Sequence, residues 1–386
     1  MIGGWCGQIK MESTFGQNGD EGQVLAAIGE RAQELDQTGR WPEQDLAELA
    51  SVGALSWAVP GEFGGQGLGA LEISLRYERI AARSIATALV LSQRDSAVGL
   101  LEGANDTTLR RRLLADAGAG CGWLTIGIAQ LTTSRQGGAP ALVAEAADGG
   151  YRLRGVIPWS TGARQSDYII AGAVVQRASD EAPAGADAAG ASSAGDQILF
   201  ALPGDLAGVV IGEPLDLVAL AASQTTVIRC DDALLPADHV LAGPMARVLS
   251  AARRSVRLPQ AFLALGLCRG ALDLIGQHDS ARARGLVESF GGELEAARKE
   301  VIGICEGVDQ AAAERVPAVR AICNELALRI THAAVSIYKG SALLANHPAQ
   351  RLAREALFLL VWSCPDSVID CTVSRLAGRA AIGDSL

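Results

Sequence analysis

WPEQDLAELASVGALSWAVPGEFGGQGLG, residues 41–69, is the stretch on which the reading of this chain turns. In its first half Leu46, Leu49, Val52 and Leu55 recur at three-residue steps, a spacing that gathers them on one helical face. Pro42 stands just ahead of them, where the first helical turn tolerates its missing N–H. The second half, VPGEFGGQGLG (59–69), has the glycine content of a phosphate-cradling loop. It lacks the Gly-Lys-Ser/Thr ending of such loops, follows a helix rather than a strand and contains the inward-type Phe63. A tight turn between helices, with glycine serving backbone geometry, is the reading it supports.

Outward from that stretch the periodicity is helical from about 24 to 117. ALEISLRYERIAARSIATALVLSQ (70–93) reads as one long helix and TTLRRRLLADA (107–117) as another. The texture changes between 119 and 240. YRLRGVIPW, DYIIAGAVV, QILFALP, GVVIG and QTTVIRC are short β-rich runs bounded by Gly, Asp or Pro, and Asp148-Gly149-Gly150 has the composition of a hairpin turn. Within this part, 178–195 is an Ala/Gly/Ser-rich insert with too few large apolar residues to pack, expected as a mobile surface loop without chemistry. After Pro244 the pattern is helical again: Val319, Ile322, Cys323, Leu326 and Ile330 fall on one helix face. Texture alone therefore gives an α+β order, with an N-terminal helical domain over 20–118, a small antiparallel β unit over 119–240 and a C-terminal helical part over 241–386.

The 386 residues exceed what one hydrophobic core usually holds. Apolar residues make up 49% and charged residues only 20%, which leaves less polar surface than an isolated monomer usually carries, so a homo-oligomer is expected. A net charge of -10 gives no general attraction to nucleic acid or anionic lipid. The eight cysteines show neither Cys-x-x-Cys pairs nor metal-ligand spacing with His, and are read as small buried residues in a reducing cytoplasm. The N-terminus lacks a secretory-signal pattern, and no apolar run is long enough for membrane insertion. The four histidines have no partner at triad or metal spacing, and His347-Pro348 is given a structural reading.

The run 41–69 resembles the start of the acyl-CoA dehydrogenase family, with its Pro-led helix followed by Pro-x-Glu-Phe-Gly-Gly-x-Gly-Leu. The resemblance continues in order over about 40–376. WLTIGIAQLTTSRQGG (123–138) is similar to the family's first flavin-contacting strand and loop, YRLRGVIPWSTGARQSDYIIAGA (151–173) to its hairpin ending in Trp-x-Thr, and TTVIRCDDALLPADHVLAGP (225–244) to its strand into the final helices. The resemblance implies a three-domain fold, with an N-terminal α-helical domain, a middle antiparallel β-barrel or sandwich and a C-terminal four-helix bundle, and FAD as cofactor. It implies that Trp159 packs against the flavin, that the Thr161 hydroxyl reaches the N5/O4 side, and that Leu131 and Thr132 meet the pyrimidine edge. Trp159 and Thr161, two apart at the end of a strand, would point the same way. By the same resemblance Arg257 and Gly138 lie on the substrate side, and Arg284 and Phe290 loosely echo a motif that reaches a neighbouring subunit's cofactor. A homodimer or homotetramer and an acyl-CoA or other thioester substrate follow from it as expectations.

Two departures are informative. Where the family has Glu-Pro and Gly-Ser-Asp, this chain has Thr133 to Ala139, which loosens the link to acyl-CoA. And HPAQRLAREALFLLVWSCPDSVIDC (347–371) aligns on the segment that carries the family's catalytic Glu, but Ser363 stands there; the family's other base position is Val256. Desaturation beside a thioester needs a base for the α-proton, a role a buried carboxylate tuned to about pKa 6–7 fills, and losing it costs about 10² to 10⁴ in rate. Ser363 has no His beside it in sequence, and Cys364 would need a cationic partner to ionise from a thiol pKa of about 8.5. Glu355 and Asp366 are the candidates for a relocated base. Three functions are open: an acyl-CoA dehydrogenase with a relocated or absent base, a flavin-dependent monooxygenase or hydroxylase on the same fold, and a non-catalytic acyl- or partner-binding scaffold.

Overall fold

The computed structural model describes residues 20–132, 140–176, 195–251, 258–307 and 310–378. Gly138, Val256, Arg257 and the insert 178–195 up to Ala194 lie outside the described residues.

The chain opens with α1 (Glu21–Thr38), whose first turn is capped by the Asp20 side chain accepting from Gly22 N and whose end is closed by Gly39 in the left-handed region. Next comes α2 (Glu43–Ser51), which starts directly after Pro42. The three-residue spacing outlasts this helix: Gly53 turns the chain at φ 82°, and Leu55 is buried from a 3-10 turn instead. VPGEFGGQGLG is an interhelical turn folded on itself. Gly65 N donates to Pro60 O, Gln66 N to Ser56 O, Gly67 N to Val59 O and Leu68 N to Trp57 O, which occupies the N–H groups a phosphate loop would present.

The expected helix over 70–93 is two helices, α3 (Ala70–Ala81) and α4 (Ile85–Glu102). Ser84, extended at φ -149°, takes the Thr87 N–H on its hydroxyl and so starts a new helix where hydrophobic spacing alone suggested continuity. The N-terminal helices close with α5 (Thr108–Gly118).

The middle of the chain forms β1 (Leu124–Gly127), β2 (Leu142–Ala147), β3 (Gly150–Ser160), β4 (Tyr168–Gln176), β5 (Gln197–Pro203), β6 (Val209–Ile211), β7 (Thr226–Pro236) and β8 (Val240–Met245). They make one sheet in the order β6-β7-β3-β2-β4-β5-β8, with β1 added on β4. The β2–β3 hairpin turns at Asp148-Gly149, with Ala147 opposite Gly150. Most pairings are antiparallel, but β4 runs parallel to both β1 and β2, so the sheet is mixed rather than purely antiparallel. The reason is connection: the chain re-enters beside β1 and β2 only after crossing from the end of β3.

A four-residue helix α6 (Val248–Ala251) leads to α7 (Pro259–Gly276), α8 (Ala281–Glu306), α9 (Gln310–Tyr338), α10 (Pro348–Leu359) and α11 (Asp366–Leu376). Helices α7 to α10 pack as the expected bundle, with α11 laid on α9. His347 has the structural role expected of it: its Nδ1 accepts from Ala349 N and caps α10. One hydrophobic core runs through both helical parts, joining Ile28, Leu46 and Leu89 to Phe262, Leu326 and Leu352. Its tightest seam is α3 against α7. A Cβ on Gly266 would stand 2.4 Å from Glu78 O, and one on Gly270 2.4 Å from Ala82 O, so this helix pair depends on the Gly-x-x-x-Gly spacing.

Candidate functional site

A cavity of about 780 Å³ opens where the sheet meets the two helical parts. Its walls come from α4, the turn after β1, the end of β3, the loop 217–225, the start of α7 and the end of α10. Mostly apolar side chains line it, among them Leu89, Ile126, Leu258, Phe358 and Trp362. The polar groups include Gln93, Ser96, Gln260 and a row of hydroxyls.

Of the residues singled out in the sequence, Thr132, Trp159, Thr161 and Ser363 are brought together here. Trp159 is not at a regular strand position. The β3–β7 register shifts between Ile157 and Ser160, and Trp159 takes φ 58°, which turns the indole out of the pleat; it is 56% exposed. A large aromatic held in a left-handed conformation with most of its surface uncovered suits a flat ligand. Thr161 is buried and its hydroxyl is 3.1 Å from Thr225 Oγ1, which is 2.8 Å from Ser223 Oγ. Sequence reasoning did not reach Ser223 and Thr225. Their only signal was a run of hydroxyl residues before β7, which says nothing of its distance from Thr161. Thr132 follows a 3-10 turn and keeps its hydroxyl near Ile128 O and Ala129 O at 3.4 and 3.3 Å. Leu131 packs over Gly172 of β4 rather than lining the cavity.

The end of α10 forms the opposite wall. Trp362 stacks on Phe358, with ring centroids 5.2 Å apart and planes at 20°, and Ser363 follows at φ 51°. Pro365 is the residue ahead of α11 and starts a new helix rather than only stopping an old one. The other candidates lie elsewhere. Glu355 is buried on α10 with Arg351 Nη1 at 3.0 and 3.2 Å, and Arg351 reaches Gln33 of α1. Burial pushes the Glu355 carboxyl up, against the pull of Arg351. Asp366 is exposed in the first turn of α11. Arg284 is exposed and paired with Asp279, and Phe290 sits under the Arg329 guanidinium on the far side of α8. Among the described residues no carboxylate or imidazole lines the cavity, and none forms a cluster of three His, Cys, Asp or Glu that could hold a metal.

The arrangement of helices, sheet and helix bundle is the fold of the acyl-CoA dehydrogenase class, and residues 24–121 match the family "Acyl-CoA dehydrogenase, N-terminal domain". Probable acyl-CoA dehydrogenase YngJ of Bacillus subtilis is 23% identical over 374 residues, covering 90% of this chain and 93% of that protein. Among solved structures, butyryl-CoA dehydrogenase from Megasphaera elsdenii aligns with TM-score 0.75 at 19% identity, covering 92% of this chain and 96% of that one. Dibenzothiophene monooxygenase from Paenibacillus aligns with TM-score 0.72 at 16% identity over 92% and 96%. The resemblance read from the sequence is thus borne out, and the same fold carries both dehydrogenase and monooxygenase names. No described helix is long and apolar enough to cross a membrane.

Proposed function

We propose that this chain is an FAD-dependent oxidoreductase that uses the acyl-CoA dehydrogenase fold for monooxygenase- or hydroxylase-type chemistry on a small, largely apolar, uncharged substrate. The carrying observation is the cavity wall: mostly apolar, with hydroxyls, amides and Arg354 but no carboxylate or imidazole among the described residues. The two candidates for a relocated base do not line it: Glu355 is buried against Arg351 of its own helix and Asp366 faces solvent. Desaturation of a thioester would then proceed without the general base that contributes about 10² to 10⁴ in rate.

The residues present suit a flavin. Trp159 offers an uncovered aromatic face, and the hydroxyls of Thr161 and Thr132, which line the same cavity, would serve ring carbonyls and nitrogens. The flavin, when bound, supplies electron-pair transfer and, in its reduced form, reaction with dioxygen. The protein's own contribution is orientation and exclusion of water. Phe358 and Trp362 press a substrate from the α10 side, Leu89 and Leu100 close the α4 side, and Gln93 and Gln260 provide donors and acceptors without charge. Arg354, the one cation among the described lining residues, is already paired with Asp36 through Nη1 at 3.1 Å.

A homo-oligomer accompanies this reading. Ile369, Val373 and Leu376 leave an apolar stripe uncovered on α11, and a second copy of the chain is the proposed cover.

The test is optical. Purified protein should carry flavin or bind added FAD, butyryl- or octanoyl-CoA should leave its spectrum unchanged under anaerobic conditions, and NADH with a flavin reductase should reduce it. Bleaching by an acyl-CoA would instead support the dehydrogenase reading, and failure to bind flavin at all would leave only the scaffold reading.

A further inference from the structure

Arg320 lies on α9, outside the cavity, yet is bonded to the segment that forms one of its walls. It is 6% exposed, and no described carboxylate forms an ion pair with it. Its guanidinium faces the end of α10: Nη1 donates to Ser363 O at 2.8 Å, Nη2 to Trp362 O at 3.1 Å, and Nη2 also lies 3.6 Å from Cys364 Sγ. The carbonyl end of a helix is the negative end of its dipole, and a cation there compensates carbonyls that have no partner within the helix.

The geometry of the two carbonyls matters more than the charge. Trp362 O and Ser363 O belong to the two peptide planes that meet at the Ser363 Cα, and the angle between those planes is set by φ and ψ of Ser363 alone. A rigid planar fork holding both oxygens therefore fixes a backbone conformation that a non-glycine residue seldom adopts, φ 51°. Ser363 in that conformation and Trp362 beside it both line the cavity.

We propose that Arg320 is the positioning residue of the cavity wall, holding Ser363 in its left-handed conformation and thereby seating Trp362 and Ser363 against the ligand. The guanidinium does not itself touch the ligand. This inference deepens the function proposed above, since the wall it sets is that of the same site, but the backbone claim stands apart from the identity of the ligand.

Two variants of the full chain, Arg320→Lys and Arg320→Gln, test it by amide hydrogen exchange, thermal melting and FAD titration. Lysine keeps the charge and can serve one carbonyl at a time; glutamine keeps one donor group and loses the charge. Expected is a rise of about tenfold or more in exchange confined to residues 360–366 in Arg320→Gln, a smaller rise in Arg320→Lys, and a melting temperature lowered by only a few degrees. Unchanged exchange at 360–366, or a rise spread evenly over α7 and β4, would overturn the positioning role. If the parent protein binds no FAD, the flavin reading fails, while the exchange result still decides what Arg320 does.

Discussion

Ser363 lines the cavity at the position where the family resemblance sets a carboxylate. A carboxylate there would face the cavity as a base; a serine brings a hydroxyl far too weakly acidic at neutral pH, and no imidazole among the described lining residues is available to activate it. Ser363→Ala is expected to leave turnover within about threefold of the parent, as fits a group outside the reaction. Trp159 is expected to behave differently. Removal of an indole from a ligand-covered wall gives up roughly 1.5–3 kcal/mol of burial, so Trp159→Ala should weaken FAD binding by about 10- to 100-fold in a fluorescence titration while the fold persists. That Trp159 and Thr161 stand together was legible from the Trp-x-Thr resemblance, and both line the cavity. That Trp159 points into the cavity through a bulge at φ 58° was not, because strand alternation assumes a regular pleat.

Among the elements, α3, α4 and α7 show what hydrophobic spacing conveys and where it stops. The apolar steps from 70 to 93 were read correctly as helical, but the break at Ser84 depends on one hydroxyl taking the Thr87 N–H, a local contact outside any periodicity. Ser84→Ala should cost about 1 kcal/mol in denaturant unfolding. The α3–α7 seam was not legible, since Gly266 and Gly270 acquire meaning only once another backbone lies against them. Gly266→Ala places a methyl 2.4 Å from Glu78 O, and the backbones must separate. A loss of about 1–3 kcal/mol is expected, checked by the same unfolding curves. Of the strands, QILFALP coincides with β5 and YRLRGVIPW and DYIIAGAVV fall within one residue of β3 and β4, whereas QTTVIRC stops six residues short of the end of β7 and β1, β2 and β8 were not singled out as β-rich runs.

For the whole molecule, three buried carboxylates pull the pH response one way, while Glu48 and Asp106, held lower beside arginines, pull it the other. Asp45, Glu78 and Glu355 are each pushed above the ordinary carboxylate range, first by burial, with Arg31, Arg298 and Arg351 pulling the other way. At these three sites the folded chain therefore holds protons that the unfolded chain releases. Stability from these groups is complete below the unfolded values of 3.8 for Asp and 4.5 for Glu and is lost as pH rises through their higher values in the fold. Glu355→Gln removes one such group while still accepting a hydrogen bond from Arg351. The advantage in melting temperature of the parent over this variant should accordingly be larger at pH 5 than at pH 8. At the same scale, Val373→Lys on the uncovered α11 stripe should shift the sedimenting species towards the 39.9 kDa monomer. The helix–sheet–helix order could be read from texture along the chain, whereas the meeting of Thr161, Thr225 and Trp362 around one cavity joins distant segments and has no local trace.

The core that runs through both helical parts also governs how the chain is made. Ile28, Leu46 and Leu89 leave the ribosome with the first helices, but Phe262, Leu326 and Leu352, against which that core is completed, come only after the entire sheet has been synthesised. Until then α1 to α4 expose an apolar face in a nascent chain, a state open to aggregation and to capture by holdase chaperones. A chain released before α7 would lack its partner for α3 and should be cleared by proteolysis rather than persist as a stable fragment.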